Sequence, residues 1–537
     1  MRQPPPVLPG ALGRARGWAL PAAICLLAAL LRFYRFDQVA ANPFYDAAVR
    51  SMGLSLHHFF YGVFEPGGLI SIDKPPVDLW VQVATTKLFG FSSSSLRLPQ
   101  ALAGTLSVAL LYDLVRRGFG RTAGLASALA LAVLPIAVLT SRSDTMDTLM
   151  GCLLLAGAWA IVASPPEHRV RGVVIAGVLA GLAFEVKLFQ AGVGLPALVV
   201  LAWLAVEGRL ARRATAVALG SLAFVVVAAA WPVAATLAPG AHPFPIGSTD
   251  GTVANVILRY NGLDRIGPIG PGAHGPSHPG PGRLFSTALG FRTLIGIELL
   301  PALVLGAIAA VLELRWRPAG ILRRAIGASI AVWLLTGLFF FSIQGRLRPR
   351  YLEAFTPAVA AALGIGLAVL IAAVLPQRGL RRVAAGVTAG VLALLLAWPL
   401  TTSVRFASNG KEDSQSWLGA MPGRQLEALH RYLHAHDARA RYELATSTAA
   451  IAGPLIVRDA LPILPITTWF GRPVVTKGTL VSDVRTGRVR YMLLDETGCK
   501  SKRAPSCAPA IRWALAHSTR VTRAAGLKRP RVLLRLD

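Results

Sequence analysis

Residues 71–77 read SIDKPPV, an acid and a base side by side ahead of two prolines. Asp73 and Lys74 fit a solvated loop corner, or a carboxylate and an ammonium held by a rigid turn to work on a substrate. Other ionisable residues stand in similarly apolar text. Asp46 and Arg50 are one helical turn apart in NPFYDAAVRSM, so their side chains can meet. Asp144 and Asp147 sit in SRSDTMDTLM, Glu185 and Lys187 in LAFEVKLFQ, and Arg346, Arg348, Arg350 and Tyr351 in GRLRPRYLEAF. Gathered in one polar cavity, the cations could grip a phosphate while a carboxylate takes a proton from an incoming hydroxyl. Taken singly, each residue also fits a salt bridge or a snorkelling side chain.

The elements that would position these groups are apolar. Of 537 residues 54% are hydrophobic and only 15% charged, against about a quarter charged in soluble domains. Runs long enough to cross a bilayer core recur at roughly 17–33, 98–115, 122–140, 148–164, 171–187, 190–206, 214–235, 292–313, 324–343, 352–375 and 381–400. The sequence therefore predicts a polytopic α-helical membrane protein with about eleven spans. Its net charge of +29 would suggest nucleic acid in a soluble chain. Here many of the arginines cluster at the ends of apolar runs, as cytoplasmic loops require, and no aromatic-interleaved basic stripe accompanies them. Nucleic acid is not expected as a partner.

The Arg-rich loops RRGFGR, EHRVR, EGRLARR, RWRPAGILRR and QRGLRR fall on one side of an eleven-span arrangement, together with the basic N-terminus 1–16. That side is assigned to the cytoplasm of a cell-membrane protein. The other side receives the loops at about 34–97 and 236–291, and everything after about 401. Cys499 and Cys507 bracket a short polar stretch there, a spacing that suits a disulfide loop in an oxidising compartment or leaves two free thiols. In the loop 34–97, DAAVRSMGLSLHHFF and VDLWVQVATTKLFGF carry the spacing of helices lying in the membrane interface. Residues 401–537 alternate helix and strand patterns, giving a small extracytoplasmic α/β domain with a mainly parallel sheet. It contains no GxGxxG after a strand and no GxSxG, and is read as a docking or packing domain.

The stretches NPFYDAAVRSM, FEPGGLISIDKPPVDLWVQ, LRLPQALAGTLSVALLYDLVRRGFG, ILRYNGLDRIG and RPRYLEAFTPAVAAALGIG, scattered over about 40–365, resemble the GT-C superfamily of polyprenyl-phosphate-dependent glycosyltransferases. Within it the chain resembles the branch of the protein O-mannosyltransferases and the lipid A aminoarabinose transferase, in a bacterial subgroup with an extra C-terminal domain. The resemblance implies a GT-C-like domain at 17–400 with an outer-face active site on the first large loop. It gives Asp73 an organising role and Lys74 a contact to the donor phosphate. Arg348 and Tyr351 match residues that close the donor pocket, Asp147 matches an acidic position, and Asn261 matches a subgroup hallmark without an assigned role. Arg50, Lys187, Asp144 and Arg346 are further candidates. Relatives carry a second acid pair four and three residues before the tyrosine that matches Tyr45. Here those positions are Ala41 and Asn42, which moves attention to Asp46.

The implied reaction is inverting transfer of one sugar, of mannose or pentose type, from a polyprenyl phosphate to a hydroxyl of a lipid, an envelope glycan or a protein. Asp73 or Asp46 would be the base, and a divalent metal could bridge Asp73 and the phosphate. A polytopic transporter or flippase would also bury charges among many spans, but no internal repeat of the kind such proteins show is evident.

Overall fold

The computed structural model describes residues 11–266, 278–315, 320–374, 381–411, 421–436, 440–495 and 505–537. Its body is a bundle of apolar helices: α1 (Ala11–Phe33), then α2 (Tyr45–Met52), α3 (Leu56–Tyr61) and α4 (Val77–Phe89), the long α5 (Ser93–Val133), α6 (Pro135–Ser141) and α7 (Asp147–Ala163). The series continues with α8 (Arg169–Lys187), α9 (Leu195–Ala205), α10 (Leu210–Leu237), α11 (Ile297–Arg315), α12 (Ile321–Ile343), α13 (Thr356–Val374) and α14 (Arg381–Ser408). Among the described residues eight helical segments are long and apolar enough to cross a membrane, with α7 and α9 shorter apolar rods. Gly120 (φ 84, ψ 176) breaks α5, so its two arms account for neighbouring apolar runs of the sequence. Almost every residue of α13 is buried, because it packs between α5 and α11. Where α8 meets α10, Gly177 and Gly220 let the backbones approach closely, the small-residue contact that helices use where no hydrophobic gradient drives them together.

Two buried guanidiniums tie one end of the bundle. Arg32 donates to the carbonyls of Ala28 and Ala132, both at 3.1 Å, and to Ser141 Oγ at 3.2 Å. Arg142 donates to the carbonyls of Tyr34 at 2.8 Å and Ala407 at 3.2 Å. Among these acceptors the carbonyls of Tyr34, Ala132 and Ala407 lie at or beyond helix ends, where no intrahelical partner exists. The ends of α1, α6 and α14 are thereby fixed to one another.

At this end the two long loops interlock. Strand β1 (Ile70–Ser71) pairs in parallel with β2 (Phe244–Pro245), in the register Ile70 to Phe244. The buried Glu65 carboxylate gathers the backbone N–H groups of Gly67, Leu69 and Ile70, shaping the turn that feeds β1. Helix α2, expected to lie at the interface, is instead almost wholly buried. The reason is tertiary: the C-terminal unit packs over it.

That unit comprises α15 (Gly423–His436), β3 (Leu444–Thr446), α16 (Ala449–Asp459), β4 (Ile463–Pro465), α17 (Lys477–Arg485), β5 (Tyr491–Leu494), α18 (Pro509–Ala516), β6 (Ser518–Arg520) and β7 (Val532–Leu536). Strand order is β4-β3-β5-β7-β6. The sheet is mixed and not mainly parallel, since β5–β7 and β6–β7 are antiparallel. The connection from β6 to β7 holds no helix, so the chain turns back beside itself without the crossover that a parallel pair needs. Cys507 is disulfide-bonded and Cys25 and Cys152 are free; Cys499 lies outside the described residues.

The unit docks where α16 meets the segment before α2. A Cβ at Gly453 would collide with the Pro43 carbonyl. In an unencumbered helix Gly→Ala stabilises by about 1 kcal/mol. For Gly453→Ala we expect the opposite sign, a loss of about 1–3 kcal/mol from overpacking, read as a lower unfolding temperature of the detergent-solubilised protein. An unchanged or raised temperature would show that the docking contact is loose.

Candidate functional site

The site is assembled from widely separated parts of the chain. Pro75 and Pro76 start α4 and restrain the residues before them, so Asp73 and Lys74 are presented from a stiff corner. The Lys74 ammonium contacts the Asp73 carboxylate, donates to Tyr45 Oη at 3.0 Å and lies 5.1 Å from the centre of the Tyr45 ring. Burial pulls its pKa down, but the Asp73 charge and Tyr45 outweigh burial and hold it above the ordinary lysine value. Asn261 fixes this corner from the second loop, donating through Nδ2 to the Asp73 carbonyl at 2.5 Å and to the Val256 carbonyl at 3.0 Å. It does so from a π-helical stretch, Val256–Leu263, a wide turn of the kind frequent at functional sites. Arg265 donates to Asn261 Oδ1 at 3.4 Å.

A second cluster forms where α8 stops. Leu188 takes positive φ (51°), an unfavourable conformation for a branched side chain. Lys187, the last residue of α8, contacts Asp147, the first of α7. Arg350 Nε lies 3.9 Å from the same carboxylate, and the Lys187 ammonium sits 5.0 Å from the centre of the Tyr351 ring.

Between and behind these clusters lies a carboxylate network. Asp46 Oδ2 accepts the Asn42 backbone N–H at 2.8 Å and sits 3.7 Å from Arg97. Asn42 Nδ2 donates to Asp144 Oδ1 at 3.1 Å. Position 42, lacking the acid of the resembled family, thus has one set behind it by a distant loop. Burial first, and then the Asp46 charge, push the Asp144 carboxyl well above its ordinary 3.8. Asp46 Oδ1 and Asp144 Oδ2 are buried without a hydrogen-bond donor. Asp78, which the sequence analysis passed over, accepts from Gln82 and Gln100 at 2.6 Å each, and burial pushes it up to about 7.

These elements enclose a cavity of about 720 Å³. Asp73, Lys74, Lys187, Asn261, Arg348 and Tyr351 all line it, whereas Asp46, Asp144 and Asp147 stand one layer behind the lining. Arg50 does not meet Asp46; it lies 4.5 Å from the Phe91 ring centre, because the buried Arg97 has taken that carboxylate. Arg346 is exposed and off the lining. Arg350, singled out in GRLRPRYLEAF, lines it too, and the structure adds Asn42, Tyr45, Tyr260 and Arg265, and two aromatic residues of the C-terminal unit, Trp469 and Phe470. Tyr260 and Arg265 were legible as neighbours of Asn261 in RYNGLDRIG; no pattern marked Trp469 and Phe470. Among the described residues the lining presents five cations and a single carboxylate, Asp73. Among the described residues no group of three acids, histidines or cysteines could hold a metal, and Asp73 is the one carboxylate they place on the lining. The residues do not fit a divalent ion there, and no step below runs through one.

Comparison with known proteins agrees with this architecture. Residues 73–232 match the family profile "Dolichyl-phosphate-mannose-protein mannosyltransferase", and residues 429–517 match "Putative mannosyltransferase YkcB-like, C-terminal". The Bacillus subtilis (strain 168) protein "Putative mannosyltransferase YycA" is 26% identical over 628 residues, spanning 88% of this chain and 90% of that one. The crystal structure of ArnT from Cupriavidus metallidurans bound to undecaprenyl phosphate superposes with a TM-score of 0.57 at 16% identity, over 98% of both chains. The oligosaccharyltransferase AglB of Archaeoglobus fulgidus, in complex with an inhibitory peptide and a dolichol-phosphate, gives 0.60 at 12% identity, over 95% of this chain and 73% of that one.

The profile matches and the named relatives support a membrane glycosyltransferase. Together with the fold they support the GT-C superfamily.

The Asp144 carboxyl sets a pH dependence. Its folded pKa is raised, so its contribution to stability is complete below about 3.8 and is lost as pH rises through the folded value. Thermal unfolding of wild type should therefore weaken with rising pH relative to Asp144→Asn, which cannot ionise. Parallel curves for the two proteins across pH 4–8 would show that the Asp144 carboxyl is not raised.

Proposed function

We propose that the chain transfers mannose from a polyprenyl-phosphate donor to an acceptor hydroxyl on the outer face of the cell membrane, with inversion at the anomeric carbon. The observation that carries this reading is the cavity lining, five cations around one carboxylate, which suits a phosphate that gains charge as it leaves. The mannosyltransferase profiles and the name of the Bacillus relative support mannose; the acceptor is a lipid, an envelope glycan or a protein.

In this mechanism Lys74, Arg348, Arg350, Lys187 and Arg265 hold the donor phosphate. As the phosphate draws the Lys74 ammonium towards itself, Asp73 loses a donor and becomes the base. The acceptor oxygen forms its bond to the anomeric carbon while the bond from that carbon to the phosphate oxygen breaks. The electron pair leaves with the phosphate, and the acceptor proton passes to Asp73. Asp46 is assigned a positioning role, because it stands behind the lining and is engaged by Arg97 and the Asn42 backbone.

Residues 17–400 carry the chemistry in this reading, and 401–537 form an extracytoplasmic domain that docks on it. The Arg-rich short loops and the N-terminus face the cytoplasm. The bonded state of Cys507 supports an oxidising location for the far side.

The test uses purified protein, a panel of polyprenyl-phosphate sugars and a membrane extract as acceptor, with released polyprenyl phosphate followed by mass spectrometry. Asp73→Asn and Lys74→Ala should each lower kcat by roughly a hundredfold or more. Full turnover in Asp73→Asn would move the base elsewhere. A folded wild type inert towards every donor would return the transporter reading.

A further inference from the structure

Two of the residues lining the cavity come from the C-terminal unit, and the chain presents them on a tight turn. The Thr468 N–H donates to the Arg472 carbonyl at 2.8 Å and the Gly471 N–H to the Thr468 carbonyl at 3.1 Å. Gly471 supplies the positive φ (79°) that closes the turn, and Thr467 bridges Pro473 across its base. Trp469 and Phe470 therefore project from a rigid tip, but in different circumstances. Trp469 is half-buried, edge-on to Phe44 at 4.9 Å and near Phe64 at 6.3 Å; it anchors the tip to the first loop. Phe470 is 56% exposed, and its ring lies 5.7 Å from Tyr260, from the second loop.

An exposed phenyl ring beside a phosphate-binding lining does nothing for a phosphate. It matches the other half of the donor, since the C–H face of a sugar ring is apolar and packs on an aromatic face, while the hydroxyl edges seek polar partners. We infer that Phe470, held by the Trp469 anchor and flanked by Tyr260, is a specificity-determining residue that packs on the face of the transferred sugar. The C-terminal unit then helps to choose the sugar and is more than a docking domain. This rests on the transferase reading above.

The experiment compares wild type, Phe470→Ala and Phe470→Tyr in three measurements: kcat/KM for polyprenyl-phosphate mannose, affinity for undecaprenyl phosphate without sugar, and acceptor KM. Phe470→Ala should lose about tenfold in kcat/KM and Phe470→Tyr no more than about twofold. Affinity for the sugar-free lipid and acceptor KM should stay within about twofold of wild type in both variants. An equal loss of affinity for the sugar-free lipid would place the ring on the isoprenoid chain and overturn the inference. So would a change confined to acceptor KM, or an unaltered Phe470→Ala. Any of these with an active wild type leaves the transferase reading standing. A wild type without turnover would sink that reading and this inference with it.

Discussion

Charge cannot be left alone at the edge of an apolar bundle, and the arrangement of this site follows from that constraint. An uncompensated ion removed from water costs several kcal/mol, and many of the buried cations are held against a carboxylate or a carbonyl. Lys74 has Asp73, Lys187 and Arg350 have Asp147, Arg97 has Asp46, and Arg32 and Arg142 have the exposed ends of helices. Apart from Lys74 with its neighbour Asp73, these pairings draw together segments far apart in the chain. The same contacts that neutralise the charges therefore set the helix ends at which the cavity opens. An excess of positive charge remains on the lining itself, and that excess is what an anionic substrate would find.

The corner at Asp73 and Lys74 has no rigidity of its own beyond its two prolines. Its position is inherited from neighbours. The β1–β2 pairing sets the height of the first loop against the second, Glu65 folds the turn before it, and Asn261 clamps the Asp73 backbone from across the cavity. A side chain that binds a backbone carbonyl in this way fixes a place without competing for the carboxylate, which is left to face the cavity.

The long apolar runs, the SIDKPPV corner, the basic and aromatic residues at 348–351 and the polar Asn261 were all readable, because each is a local departure from the apolar background or a spacing with a period. Partner choice was not. Asp46 and Arg50 have ideal helical spacing, yet Asp46 faces Arg97, since burial of α2 turned that face towards another helix. The strand β6, reading STR, carries no alternation to announce it and exists because β7 offers it an edge. Phe470 was invisible for a similar reason: one aromatic residue at a turn acquires meaning only from what the turn is pressed against.

The contact of Trp469 with Phe44 joins residues more than four hundred positions apart. Contacts of that separation form late and slowly. Until the last quarter of the chain has folded back, the cavity lacks one wall and the segment before α2 lacks the surface on which it rests. A partly synthesised chain has the cations of the lining but not the two aromatic residues that complete its wall. The order of the sequence thus acts as a timer, withholding this wall until Trp469 and Phe470 have been made.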